Sequence, residues 1–313
     1  MTKNNNFTFY NNSNFGFSLI FIVILISTII LILTAAGIHL NLIRDNFSFL
    51  REIIIHQNNI ETGLNLTLKI LKEDFKDIDT LQDIWNYNFP IIKLDDKNSI
   101  QIKIEAEDSK FNLNNLLWGN DEQINGKLKS QLDSLFFKLN LTNLKTDAII
   151  DWLDKNNLPL PEGAENDYYI SINKECKNGK LDSLDEIFNI KDFDKIQNKN
   201  ELLDYITIYG DDEKININTA SETVIEALSD YIDKQLLFEI IKYREKNQIK
   251  NLDDLLNINI FEKKVFDFIK NSLRVTNNIF KISITSIINN NQKKSYFIVE
   301  RNNNNFKILF AGY

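Results

Sequence analysis

From Phe17 to Ala36 the chain runs for twenty residues without a charge, FSLIFIVILISTIILILTAA. At 1.5 Å per residue a helix of that length covers about 30 Å, the hydrocarbon thickness of a bilayer. A cleaved secretory signal is the competing reading, but its apolar region normally runs only about 7–15 residues. Leu33-Thr34-Ala35 is also a poor small-residue cleavage site. A retained membrane helix is therefore expected. Lys3 is the one charged side chain of the leader Met1–Asn14, and beyond the span come His39, Arg44 and Arg51. Loop charge thus sets no orientation.

The segment beyond the span is amphipathic. Between Ile38 and Phe75 there is no proline, and Ile43, Phe47, Leu50, Ile54, Leu64, Leu66, Ile70 and Leu71 recur at helical spacing. An apolar first half and an amphipathic second half is the layout of a type IV pilin stem. The junction Gly16-Phe17-Ser18-Leu19-Ile20 resembles a prepilin cleavage site, cut after Gly16 to leave Phe17 first. The fifth residue of the cut chain would be Phe21, where major pilins carry Glu, and no basic residue stands beside Gly16.

Scarcity narrows the chemistry. One Cys, two His and nine Gly exclude a disulfide framework, a cysteine zinc site and, by spacing, the glycine-rich nucleotide motifs. The two His, both within the first sixty residues, leave little material for a catalytic triad, so no enzyme is expected. A net charge of −8 argues against binding nucleic acid through the overall field.

The elements predict an α+β protein. Ser99–Glu105 (SIQIKIE) alternates as a half-buried strand. A helical block comes next, and then β-rich runs at Ile279–Ile288, Lys294–Glu300 and Phe306–Phe310 read as an antiparallel meander. Pairing of Ser99–Glu105 with the meander would make the helical block an insertion. The expected organisation is a leader (1–16), a transmembrane part of the stem (17–37), stem remainder and first strand (38–110), inserted helical domain (111–276) and C-terminal strands (277–313).

Within the block, Asp151 and Asp154 lie three apart at a helix end and so share one face. Two of the three prolines come after them, Pro159 and Pro161, marking a defined loop that returns Glu162, Glu165 and Asp167. Asn156 adds an amide oxygen. Hard oxygen donors without His or Cys suit Ca²⁺; a solvated acidic turn and a glycosidase-type carboxylate pair are the other readings of the same spacing. Further on, INTAS at Ile217–Ser221 opens a helix-hairpin-helix layout. DNA-binding hairpins present glycine N–H groups to a phosphate, whereas this turn is Asp230-Tyr231-Ile232-Asp233. A packing module fits it better than a nucleic-acid contact.

Taken in order, Gly16-Phe17 with Phe21, Ile84-Trp85 with Pro90, Glu107–Asn114, Asp151-Trp152-Leu153-Asp154, Gly163-Ala164-Glu165 with Tyr168-Tyr169, and Asn216–Ser221 resemble general secretion pathway protein K. This family is the largest minor pseudopilin of the type II secretion system. The resemblance implies a type IV pilin-like fold whose inserted all-helical domain holds helix-hairpin-helix/SAM-like units. It also implies single-pass anchoring in the inner membrane with the C-terminal domain in the periplasm, and cleavage and methylation at Phe17 by prepilin peptidase. The implied place is the tip of the pseudopilus, in a ternary complex with two other minor pseudopilins above an inner-membrane secretion platform. A structural Ca²⁺ is implied at Asp151, Asp154 and Glu165, with Asn156, Glu162 and Asp167 as further candidates. The alternative is a type IV pilus-like or DNA-uptake minor pilin binding through its helix-hairpin-helix units.

Overall fold

The computed structural model describes residues 13–74, 77–119, 122–210, 212–302 and 305–312. The chain divides into two units, one up to Asn58 and the other Asn59–Tyr313. The first is helical. Helix α1 runs Ser13–Glu73, and its large apolar side chains from Leu19 to Leu50 stand exposed, Leu31 at 70%. Such a surface is stable in hydrocarbon, where the helix also satisfies its own backbone groups. Among the described residues this is the one helix long and apolar enough to cross a membrane. Gly16 and Phe17 lie within α1, while leader residues 1–12 fall outside the described residues.

In the second unit the end of α1 lies on an antiparallel sheet. Strands β1 (Ile92–Lys93), β2 (Asn98–Ala106), β3 (Ile279–Ile288), β4 (Asn291–Asn302) and β5 (Asn305–Gly312) neighbour one another in that order. The alternation of SIQIKIE puts Ile100, Ile102 and Ile104 on one face, with Ile284 opposite Ile102 and Ile282 opposite Ile104. Ile60, Leu64 and Leu71 of α1 close that core, together with Phe280, Phe297 and Trp85. Helix and sheet meet closely at Gly63, where a Cβ would lie 2.9 Å from Ile284 Cγ2. The meander is as expected from the sequence; its first turn uses Asn289 in the left-handed region (φ 52). Strand β1, only two residues long, was not expected.

Everything between β2 and β3 builds a second core. Its helices are α2 (Gly126–Lys138), α3 (Thr146–Leu153), α4 (Asn166–Ser171), α5 (Lys199–Leu203), α6 (Glu222–Ala227), α7 (Lys234–Lys246) and α8 (Lys263–Ile269). Leu184–Asn189 and Leu252–Asn257 are 3₁₀ turns. Two short parallel pairings join Phe111–Asn112 to Ile206–Thr207 and Ile215–Asn216 to Leu273–Arg274. In the α6–α7 hairpin, Asp233 caps α7 by accepting from Leu236 N–H (2.8 Å). Arg244 is turned inward and donates to Ile217 O (3.0 Å) and Ala220 O (2.7 Å). Those groups hold the hairpin to the INTAS segment.

The insert is tied to the sheet by buried charge. Asp108 accepts from the N–H groups of Asn278 (2.6 Å) and Ile279 (2.7 Å) and from the Arg274 guanidinium (2.6 Å). Deeper in, Arg301 of β4 donates to Asp79 Oδ2 and to Asn277 O, both at 2.6 Å, and its guanidinium lies 5.0 Å from the Phe280 ring. Asp79 also accepts from Asn277 N–H (2.7 Å), and Asn216 Nδ2 reaches Asp79 O (3.1 Å). The pair is almost fully buried, at 2% and 0% side-chain exposure. Removing one partner of such a pair strands the other, a cost of about 3–5 kcal/mol. Arg301→Ala is therefore expected to lower unfolding free energy by about that much in urea titrations, and the double change Asp79→Asn with Arg301→Met by clearly less.

Candidate metal centre

Asp151 lies in the last turn of α3, every residue of which is buried. The helix stops because Asp154 turns to extended backbone (φ −79°, ψ 168°), while its N–H still donates to Ile150 O (2.9 Å). Asp154 Oδ1 then accepts from Asn156 N–H (3.1 Å), which starts the loop. Prolines 159 and 161 limit the path, and the loop folds back over α3. Leu160 N–H donates to both Asp151 carboxylate oxygens (3.2 and 3.1 Å), and Glu162 N–H to Asp147 Oδ2 (3.3 Å). At Gly163 the chain passes directly over Asp151, where a Cβ would lie 1.9 Å from Oδ2. Only glycine fits there. Lys191 holds the loop from outside by donating to Gly163 O (3.0 Å).

Two residues later the chain enters α4 at Glu165. An N-cap residue normally turns its side chain onto the helix, but Glu165 makes no capping bond. It points inward instead, 4% exposed, with neither carboxylate oxygen hydrogen-bonded. Trp152 and Tyr169 meet edge to face beside it (5.0 Å), and the Tyr169 hydroxyl accepts from Lys191 N–H (3.1 Å). Oxygens of Asp151, Asp154 and Glu165 all come within 4.8 Å of one another. No ion pair reaches any of the three among the described residues.

Three buried carboxylates without a cation are costly to ionise. Burial pushes Asp151 up to about 6, with the charges of Asp154 and Asp147 adding to it. Burial and the neighbouring Asp154 and Asp151 push Glu165 up to about 7. Asp154 is also raised, by burial and by Glu122. An all-oxygen set with two orphaned oxygens fits a hard divalent cation such as Ca²⁺. The other three sequence candidates do not join it. Asn156 is exposed and its Oδ1 accepts from Leu158 N–H (2.7 Å), while Glu162 and Asp167 are exposed at the surface. Sequence reasoning missed Glu122, which approaches from a distant loop, and the N–H groups of Leu160 and Ala164 that steady Asp151. No local signal marks those.

Residues 109–211 match the family model for type II secretion system protein K, and residues 210–274 the model for a helix-hairpin-helix motif. The type II secretion system protein K of Pseudomonas aeruginosa is 25% identical over 205 residues, covering 61% of this chain and 61% of the relative. The match therefore spans less than two thirds of that relative's length. In fold, the chain is similar to one in the crystal structure of the GspK–GspI–GspJ complex from the enterotoxigenic Escherichia coli type 2 secretion system. The TM-score is 0.69 at 17% identity, over 83% of this chain and 96% of the other. These findings bear out the resemblance to the protein K family and the α+β fold class. The matched segment 109–211 contains all three clustered carboxylates.

The raised carboxyl groups have a signed consequence. A folded-state value above the unfolded one means that the native state binds the proton more tightly, so stability is greatest below the unfolded value and falls as pH rises through the folded one. For Asp151 and Glu165 that window runs from about 4 to about 7. In chelator, melting temperature is expected to fall between pH 5 and pH 7.5. Replacing Asp151 and Glu165 together by Asn and Gln is expected to flatten that fall in thermal scans.

Proposed function

We propose that the chain is a minor pseudopilin at the tip of the type II secretion pseudopilus, assembling with two other minor pseudopilins to initiate or cap it during export across the outer membrane. The observation that carries this is one polypeptide joining a protein K segment at 109–211 to an apolar N-terminal helix and a pilin-like sheet. The similar solved chain is from a complex of GspK with GspI and GspJ, which supports partners of those kinds here. The role is structural rather than enzymatic.

Anchoring in the inner membrane with the C-terminal domain in the periplasm agrees with the exposed apolar first half of α1. Prepilin peptidase would cut after Gly16 and methylate Phe17, and the secretion platform would drive assembly. Phe21 offers no carboxylate to the N-terminal amine of a subunit above it, and the bulk between β2 and β3 opposes further stacking. Both favour a terminal position. A nucleic-acid role for the α6–α7 hairpin is disfavoured, because the turn carries Asp230 and Asp233 and Arg244 is spent inside the fold.

In this reading Asp151, Asp154 and Glu165 hold Ca²⁺, which neutralises the carboxylates and fastens the proline loop to α3. Its contribution is stability of the inserted domain, with no chemistry of its own.

Co-expression with prepilin peptidase and the other two minor pseudopilins is expected to give a co-purifying ternary complex in which the chain begins at Phe17. An intact Met1 or a cut near Ala36 would retire the processing step, and the absence of any complex the assembly role. For the metal, calcium at 100 times its Kd contributes about 2.7 kcal/mol, which raises Tm by roughly 5–10 °C at pH 7.5. Little shift is expected at pH 5, and none in Glu165→Gln. A wild-type chain that neither shifts nor retains metal in native mass spectrometry would leave the cluster a buried acidic turn.

A further inference from the structure

Glu122 reaches the metal centre from outside the segment that builds it. It stands immediately before Gln123 in a short hairpin, in which Leu117 pairs with Ile124 and Trp118 with Gln123. Its backbone lies in the left-handed region (φ 51). Residues other than glycine hold that conformation mainly where their surroundings fix it. Here both carboxylate oxygens are engaged by one residue. Oε2 accepts from the Lys155 N–H (3.1 Å), and Oε1 meets Lys155 Nζ (2.7 Å).

Lys155 follows Asp154 directly, where α3 gives way to the loop. The next N–H along the chain, that of Asn156, goes to Asp154 Oδ1 (3.1 Å). Two successive N–H groups are thus taken by two carboxylates, one from the metal cluster and one from the hairpin. The first turn of the loop is clamped between them, and the position of Asp154 is set partly by Glu122.

The two halves of the Glu122–Lys155 pair do not cancel at the cluster. The Lys155 side chain is 76% exposed and its charge is screened by water, whereas that of Glu122 is 25% exposed. The Asp154 carboxyl is raised first by burial and then by the charge of Glu122, so the field of Glu122 reaches the cluster despite the lysine. Negative charge that opposes ionisation of Asp154 favours a cation held by it.

We propose that Glu122 is a positioning residue of the metal centre, clamping the Asp154 turn through Lys155 N–H and adding its negative charge to the field that draws in the divalent cation. This rests on the calcium reading above and names a determinant of affinity that lies outside the ligand set. The two states of the site respond to Glu122 with opposite sign. Its charge repels the empty cluster and attracts the bound cation. A residue serving only as a prop would stabilise both states alike.

The test is calcium titration calorimetry with thermal melting on the full chain in non-ionic detergent. Glu122→Gln keeps an oxygen for Lys155 N–H and loses the charge. It is expected to weaken calcium binding by about two- to fivefold at low salt, with a smaller difference at about 1 M salt. Its melting temperature in chelator is expected to equal or exceed that of the wild type. Glu122→Ala also loses the acceptor, and is expected to weaken binding further and to speed exchange of the Lys155 amide hydrogen. Lys155→Met keeps the main-chain N–H and frees the carboxylate, and is expected to bind calcium at least as tightly as the wild type. Unchanged affinity in Glu122→Gln, a loss that salt does not reduce, or melting lowered equally with and without calcium overturns the role of Glu122 and leaves the calcium site standing. A wild-type chain that binds no calcium overturns both.

Discussion

Arg301 stands at the point where the sheet and the inserted domain become one body. Its guanidinium is out of water, bonded at once to the Asp79 carboxylate and to Asn277 O, and covered by the Phe280 ring. Each contact belongs to a different stretch of chain: the segment after α1, the return from the insert, and the sheet core. Burying such a pair gains little over apolar packing and loses much if one half is missing. What it supplies is geometry. Asn216, which opens the segment leading into α6, is bonded to the same Asp79 and Asn277, so that charge fixes the insert together with the Asp108–Arg274 pair.

The carboxylates of Asp151, Asp154 and Glu165 are the opposite case, buried acids that no cationic side chain pairs with among the described residues. Residues 151–213 hold sixteen Asp and Glu against seven Lys, so the chain's whole net charge of −8 is accounted for there. Most of those acids are solvated or paired, as Glu186 is with Lys177 (2.8 Å). Three are not. The fold bends a proline-bearing loop over them with a glycine at the crossing, an arrangement that costs stability until something offsets the repulsion.

Much of this was legible in the sequence where a short-range rule applied. Twenty uncharged residues announce a long apolar helix, the alternation of SIQIKIE gives a strand and its buried face, and Asp151 and Asp154 at i,i+3 share a helix end. Which loop carboxylate joins them was not legible from spacing, and only the family resemblance put Glu165 ahead of the others. Glu162, Glu165 and Asp167 look alike in one dimension, and Glu165 is selected by a bend at Gly163 that depends on Asp151 lying beneath. Asp79 and Arg301 lie 222 positions apart and carry no mutual signal. Strand β1 is two residues long, below the reach of any periodicity.

The place of the insertion has a kinetic consequence. Ala106 pairs with Phe280, so the last residue before the insert and the first residues after it are neighbours in adjacent strands. A loop of that length closes only by surrendering chain entropy, a cost that grows with the logarithm of its length. Once the intervening segment has collapsed on its own core, its two ends are already near each other and the penalty is largely met. The inserted domain therefore acts as the closing device of the sheet. Until it is compact, β2 is an isoleucine-rich strand with two open edges, and an open edge of that kind pairs readily with any other strand it meets.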